Sequence, residues 1–202
     1  MDKGYAAWAA RWRVPLGFTL AAAYLVFSQP TRSRLLWGGS IALLGVAMRG
    51  WAAGFLEKNQ SLATDGPYRY TRNPLYLGSA LTGIGLATAG GSVVMLLAFA
   101  GLFLLVYGPV MRREEHLLRQ KFGAVYEGYR ANVPRLVPGR PRSSESPIRI
   151  GAVERGDGVS GQAGPAAGER FEWARYRKNR EYEAALGFAA ALAFLVLKMW
   201  LR

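Results

Sequence analysis

Along this chain, charge-free apolar stretches alternate with stretches dense in arginine and glutamate. Residues 92–111, for example, carry no charge at all. A run of about 18 or more apolar residues is long enough to cross a hydrocarbon core. The pattern predicts five apolar helices, over 13–27, 35–56, 74–88, 92–111 and 184–201. Pro15 falls in the first turn of the first, where proline is tolerated because that amide has no helical partner to lose. Ala89, Gly90 and Gly91 make a tight, uncharged turn between the third and fourth. Lys198 interrupts the last helix near its end, so that helix either spans the membrane or lies partly in its interface. The expected fold class is all-α: an integral membrane helical bundle of about five transmembrane helices.

Between and after these runs the pattern changes. Over 112–130, Leu118, Phe122, Tyr126 and Tyr129 recur every three or four residues, which predicts an amphipathic helix after the fourth apolar one. Residues 138–168 hold glycine, proline, serine and charges without a period and read as a loop or linker. Residues 170–183 read as a charged helix leading into the last apolar run. This divides the chain into a membrane core at 1–138, a polar loop at 139–170 and a C-terminal helical part at 171–202.

Charge sets the orientation. The third and fourth helices are joined by a chargeless turn, while their far ends carry Arg69, Arg72, Arg112 and Arg113. Basic residues are retained on the cytoplasmic side, so those far ends are expected there. Lys3, Arg11 and Arg13 agree after two crossings; Arg32 and Arg34 fall on the opposite side. The net charge of +13 would suggest nucleic acid on a soluble chain. Because the basic residues flank apolar runs, including the cluster at 175–180, contact with anionic lipid head groups is expected instead. With no cysteine, disulfides, thiolate metal sites and a cysteine nucleophile are excluded, and the single histidine, His116, excludes a histidine-rich metal centre. The first apolar run lacks a small-residue cleavage site and ends at Gln29-Pro30, so no removable leader is expected.

The sharpest local feature is Gly66-Pro67-Tyr68-Arg69-Tyr70-Thr71-Arg72-Asn73-Pro74-Leu75-Tyr76-Leu77-Gly78, at a membrane boundary. Its plain reading is a helix start, with Asn73 capping and Pro74 at the first helical position, inside an aromatic and basic interface belt. A hairpin of helices of about 16 and 20 residues, roughly 24 and 30 Å long, returns Glu114 and Glu115 to the face that holds Arg72 and Tyr76. Adjacent carboxylates beside an apolar segment are costly unless solvated or paired with a cation. Nearby arginines satisfy that need on one reading, and a cationic ligand does on the other.

The run Gly66-Pro67-Tyr68-x-x-x-Arg72-Asn73-Pro74-x-Tyr76-x-Gly78, followed after one hairpin by Glu114-Glu115-x-x-Leu118, Phe122-Gly123, Tyr126-x-x-Tyr129 and Val133-Pro134-Arg135, resembles the membrane methyltransferases typified by isoprenylcysteine carboxyl methyltransferase and phosphatidylethanolamine N-methyltransferase. The resemblance covers roughly 62–138. The isoprenylcysteine enzymes commonly carry histidine where Asn73 stands, whereas the phosphatidylethanolamine enzymes have an Asn-Pro-x-Tyr-x-Gly-Ser run like 73–79. Asparagine does not titrate near neutral pH, so no base is expected at that position.

The resemblance implies S-adenosylmethionine as methyl donor and a lipid-like acceptor drawn from the bilayer, either a phospholipid amine or an isoprenyl-type carboxylate. It implies that Glu114 and Glu115 bind the cationic parts of the donor and that Tyr68, Asn73, Tyr76 and Gly78 complete its pocket. Arg72, Tyr76 and Glu115 are then the expected catalytic residues, with Arg72 holding a donor carboxylate or an anionic acceptor group. Gly83 and Gly85 either let the cofactor approach or serve helix packing. Arg49, inside the second apolar run, faces a cavity or a partner or snorkels to the interface; His116 is expected at the surface. Two rival functions are a nicotinamide-dependent membrane reductase of the sterol reductase type and a non-enzymatic protein binding anionic lipid.

Overall fold

The computed structural model describes residues 3–57, 61–139 and 170–201, so the expected polar loop lies outside the described residues beyond its start. Every regular element among them is helical: α1 (Lys3–Phe27), α2 (Arg32–Ala53), α3 (Pro74–Gly90), α4 (Val93–Asn132), α5 (Trp173–Lys178) and α6 (Tyr182–Trp200), with a short 3₁₀ turn (Gly66–Arg69) before α3. The all-helical expectation holds.

Three of these helices, α2, α4 and α6, are long and apolar enough to cross a membrane. Their apolar stretches are also mostly unburied by protein, with 33%, 17% and 6% buried, respectively. Leu36, Trp37, Leu43 and Leu44 on α2 are exposed, as are Val93, Val94, Leu97, Leu104 and Leu105 on α4. Exposed apolar faces of this extent need a non-aqueous neighbour, and the chain is an integral membrane protein. The apolar part of α1, Pro15–Phe27, and the 17-residue α3 are shorter.

Three boundaries differ from expectation. The charged helix expected over 170–183 is instead the short α5, ending at Lys178, and the start of α6 at Tyr182. Helix α1 starts at Lys3 rather than near Arg13, so Pro15 lies inside it rather than in its first turn. The amphipathic stretch at 112–130 does not open with a new helix at Arg112: the helix from Val93 passes Met111 unbroken. The break falls at Gly123, where two helices meet across a kink before the end at Asn132. Nothing between Met111 and Arg112 breaks the ladder, whereas Gly123 departs from helical geometry (φ 50°, ψ −126°), a region glycine tolerates best.

The chain divides into two compact units. The first comprises Met1–Ala47, Gly78–Arg113 and Tyr182–Arg202. Its centre is a seam of small residues between α2 and α3. A Cβ on Gly38 would collide with the Ala89 backbone, one on Gly85 with the Ala42 backbone, and one on Gly45 would lie 2.5 Å from Thr82. Hydrocarbon offers helices no hydrophobic drive to associate, so close backbone approach through small residues supplies the contact energy. Helix α6 joins through Leu195, which packs with Leu35 and Ala89. Lys198 Nζ donates to the Leu25 and Val26 carbonyls at 2.6 and 3.0 Å, satisfying backbone oxygens that the end of α1 leaves without helical partners.

The second unit comprises Met48–Leu77 and Glu114–Glu181. The apolar face expected on 112–130 is its core: Phe122, Tyr126, Tyr129 and Val133 pack with Leu62, flanked by Leu118 and Val125. A second cluster gathers Ala52, Phe55, Ala63 and Tyr68.

The seam yields a direct expectation. Gly85→Ala should lower stability by about 1–3 kcal/mol through overpacking, whereas Gly101→Ala, which meets nothing within 4 Å, should not lower it. Thermal unfolding of both variants in detergent, followed by far-ultraviolet circular dichroism, checks this.

Candidate functional site

The second unit brings together the two sequence motifs. Thr71 precedes α3, and its hydroxyl donates to the Arg135 and Leu136 carbonyls at 3.2 and 3.0 Å. The Arg72 amide donates to the Pro134 carbonyl at 2.9 Å and the Asn73 side-chain amide to the Arg135 carbonyl at 2.9 Å. Asn73 therefore ties the start of α3 to the chain after α4; its carbonyl accepts the Leu77 amide of the first helical turn, and Pro74 opens the helix as expected.

Glu115 sits at the middle of this joint. Its side chain is 9% exposed, and so is that of Arg72, whose Nη1 lies 3.0 Å from Glu115 Oε1. Arg135 binds the same carboxylate with a fork, Nε to Oε1 at 2.8 Å and Nη2 to Oε2 at 2.7 Å. That fork raises the pKa of Arg135. Arg72 Nη1 also donates to Tyr126 Oη at 3.3 Å. Of the two readings of the glutamates, Glu115 follows the first: arginines neutralise it. Arg135 carried no role in the sequence reading, although its place in the Val133-Pro134-Arg135 run was the available signal.

Glu114 differs. It is exposed, and its Oε1 accepts the Tyr76 hydroxyl at 2.8 Å. Among the described residues no lysine or arginine pairs with it. The Tyr68 ring is 6% exposed, and its carbonyl accepts the Tyr129 hydroxyl at 2.8 Å. Burial pushes the Tyr68 phenol far above its usual range. Among the described residues Tyr68 Oη and Arg72 Nε are buried without a hydrogen-bond partner. Orphan buried donors of this kind are uncommon and call for a partner such as water or a ligand. The unit thus offers one cation-free carboxylate, phenols and a buried guanidinium edge, a set suited to a ligand with both positive charge and hydrogen-bonding groups.

Gly78, Gly83 and Gly85 belong to the first unit, where Gly78 and Gly85 meet α2 and a Cβ on Gly83 would collide with the Phe99 ring. Close neighbours fill the space beside Gly83 and Gly85. His116 is at the surface, 3.1 Å from Gln120.

Arg49 faces a partner. Its Nε and Nη2 bind Glu181 Oε2 and Oε1, each at 3.0 Å. Glu181 was missed by the sequence reading, although an acid just before the last apolar run is an unusual neighbour for membrane. The turn that places it has a clear basis. Arg180, at φ 57°, adopts the left-handed conformation after α5; its amide donates to the Arg177 carbonyl and that of Glu181 to the Tyr176 carbonyl. This is the Schellman closure of a helix end, with arginine where glycine is usual. Asn179 Nδ2 donates to the Ala53 and Leu56 carbonyls at the end of α2 at 3.0 and 2.9 Å. Within the basic cluster at 175–180, Arg175 pairs with Glu57 and Glu172.

Residues 35–125 match the phospholipid methyltransferase family. The chain is 32% identical over 105 residues to the nickel-cobalt-cadmium resistance protein NccN of Alcaligenes xylosoxydans xylosoxydans, covering 49% of each chain. It is 31% identical over 141 residues to the cobalt-zinc-cadmium resistance protein CzcN of Cupriavidus metallidurans, covering 63% of this chain and 62% of that protein. It is 30% identical over 120 residues to the protein-S-isoprenylcysteine O-methyltransferase of Schizosaccharomyces pombe, covering 59% of this chain and 49% of that enzyme. The chain thus spans between about half and three fifths of the length of these relatives. No solved structure matches it.

The unequal settings of the two glutamates predict unequal costs. Glu115→Gln leaves Arg72 buried beside a neutral group and should lower stability by about 3 kcal/mol. Glu114→Gln removes an exposed charge and should change it by less than about 0.5 kcal/mol. Equilibrium unfolding of both variants in detergent checks the difference.

Proposed function

With residues 35–125 belonging to the phospholipid methyltransferase family, we propose that the chain is an S-adenosylmethionine-dependent methyltransferase acting on a lipid-like acceptor from the bilayer. The observation that carries this reading is the Tyr76–Glu114 hydrogen bond, which joins two motifs 38 residues apart and leaves a carboxylate with no lysine or arginine partner among the described residues. We place the site on the cytoplasmic face, from the arginines that flank the ends of α3 and α4.

The residues present fit this donor. Glu114 would hold a positively charged part of it, oriented by Tyr76. Arg72 Nε is a buried donor able to meet its carboxylate, and Tyr68 Oη a buried hydroxyl able to bond its amino-acid part. Asn73 and Glu115 act one step back: Asn73 joins the two motifs through the Arg135 carbonyl, and Glu115 fixes Arg72. When bound, S-adenosylmethionine supplies a methyl group already made electrophilic by its positively charged sulfur. The chain's task is then to align acceptor and donor and to exclude water. An amine acceptor must also lose a proton; Asn73 cannot take it, which leaves Glu114 or a tyrosine. A carboxylate acceptor needs no base.

Metal resistance, named in two relatives, finds no ligand set: among the described residues no three His, Asp or Glu side chains come together, and the chain has no cysteine. The matched family favours a methyl donor over a nicotinamide.

Calorimetric titration of the detergent-purified protein with S-adenosylhomocysteine should show micromolar binding, lost in Glu114→Ala, and no binding of the reduced nicotinamide dinucleotide. A folded protein that ignores S-adenosylhomocysteine overturns the assignment. Incubation with methyl-labelled donor and membrane lipid should then transfer label to the lipid fraction. Release of that label by alkali as volatile methanol identifies a methyl ester and so a carboxylate acceptor, whereas label that stays on a non-volatile amine after alkali identifies an amine.

A further inference from the structure

Tyr68 is the one buried aromatic hydroxyl in the second unit that finds no partner among the described residues, and its surroundings extend beyond the family segment. Its ring packs with Ala52 and Phe55 near the end of α2 and with Phe171 from the C-terminal part of the chain. Arg49 lies one helical turn before Ala52 on α2. The C-terminal part is fastened to the same end of α2 by Asn179 on the Ala53 carbonyl and by the Glu172 amide on the Gly54 carbonyl at 3.0 Å. Two residues beyond Asn179, Glu181 is 9% exposed and occupies the Arg49 fork.

Two carboxylates and a phenol act on the Tyr68 hydroxyl through their charge rather than by contact. Burial raises its pKa most, and the charges of Glu114 and Glu181 and the Tyr76 phenol add to that in the same direction, which places all three within electrostatic reach. Arg49 offsets Glu181 but uses only part of its capacity, because a carboxylate accepts about four hydrogen bonds. Glu114 accepts the Tyr76 hydroxyl and has no lysine or arginine partner among the described residues. A hydroxyl buried here can accept as well as donate. The arrangement suits a ligand group that is cationic and rich in N–H or O–H donors.

We propose that Glu181, from outside the family segment, is a ligand-binding residue of this protein, which with Glu114 and the Tyr68 hydroxyl forms a polar site for the ammonium end of the amino-acid part of the methyl donor. The inference rests on the methyltransferase reading and deepens it. It makes the C-terminal part of the chain a wall of the donor site rather than a membrane anchor alone, with Arg49 as the positioning residue that aims Glu181.

The test is calorimetric titration of S-adenosylhomocysteine into the full chain, with unfolding temperature measured beside it. Tyr68→Phe removes a hydroxyl that lacks a partner in the unliganded protein, so it should leave the unfolding temperature equal or higher. It should still weaken binding about tenfold or more, the size of one hydrogen bond to a charged group. Glu181→Gln should weaken binding to a similar degree. Should that variant not fold, because Arg49 has lost its counter-ion, Arg49→Gln/Glu181→Gln in its place must show the same loss. Binding within twofold of the unaltered protein, in folded Tyr68→Phe or in the folded variant at Glu181, overturns the proposal while leaving the methyltransferase reading intact. Absence of binding by the unaltered protein overturns both.

Discussion

A carboxylate that cannot reach bulk water must have its charge answered, and the answer given to Glu115 organises everything around it. Two guanidiniums converge on it, one from the start of α3 and one from the chain after α4. Once they are there, the main chain on either side is in register for further bonds: Arg72 amide to Pro134, Asn73 side chain to Arg135, and Thr71 hydroxyl to Leu136. The ion pairs alone are a weak argument for stability, because desolvation takes back much of what they contribute. Their value is specificity: one buried negative charge forces three separate stretches of chain to meet in one way.

The two units are assembled by different physics. In the first, small residues let α2 and α3 approach until backbone meets backbone, and Lys198 caps the end of α1. In the second, tyrosines and charged groups dominate, with rings packed and hydroxyls bonded to carbonyls. Each suits its setting, because close packing serves helices in hydrocarbon and charged networks are tolerable where water is near.

Much of this was legible in the sequence. The 3.6-residue period of Leu118, Phe122, Tyr126 and Tyr129 marked the core face of α4, and the charge-free runs marked the apolar helices. The meeting of Tyr76 with Glu114 followed from helix length alone. Illegible were features fixed by long-range pairing: the choice of Arg135 as the second partner of Glu115, and of Glu181 as the partner of Arg49, 132 residues away. Gly78, Gly83 and Gly85 were ambiguous because a glycine that admits a ligand and one that admits a neighbouring helix are the same residue. The continuity of α4 past Met111 was hidden by a change of composition without a change of helical propensity.

The attachment of the C-terminal part to α2 has a consequence for evolution. Asn179 and the Glu172 amide grip carbonyl oxygens of residues 53, 54 and 56, not their side chains. Every amino acid offers that oxygen, so most substitutions there leave the grip untouched. Gly54 is pinned, since the Phe171 ring fills the space a Cβ would need, and Ala53 is held small by full burial. Diverging sequences can drift on one side of this joint without compensating change on the other, and correlated substitution across an alignment would pass over it in silence.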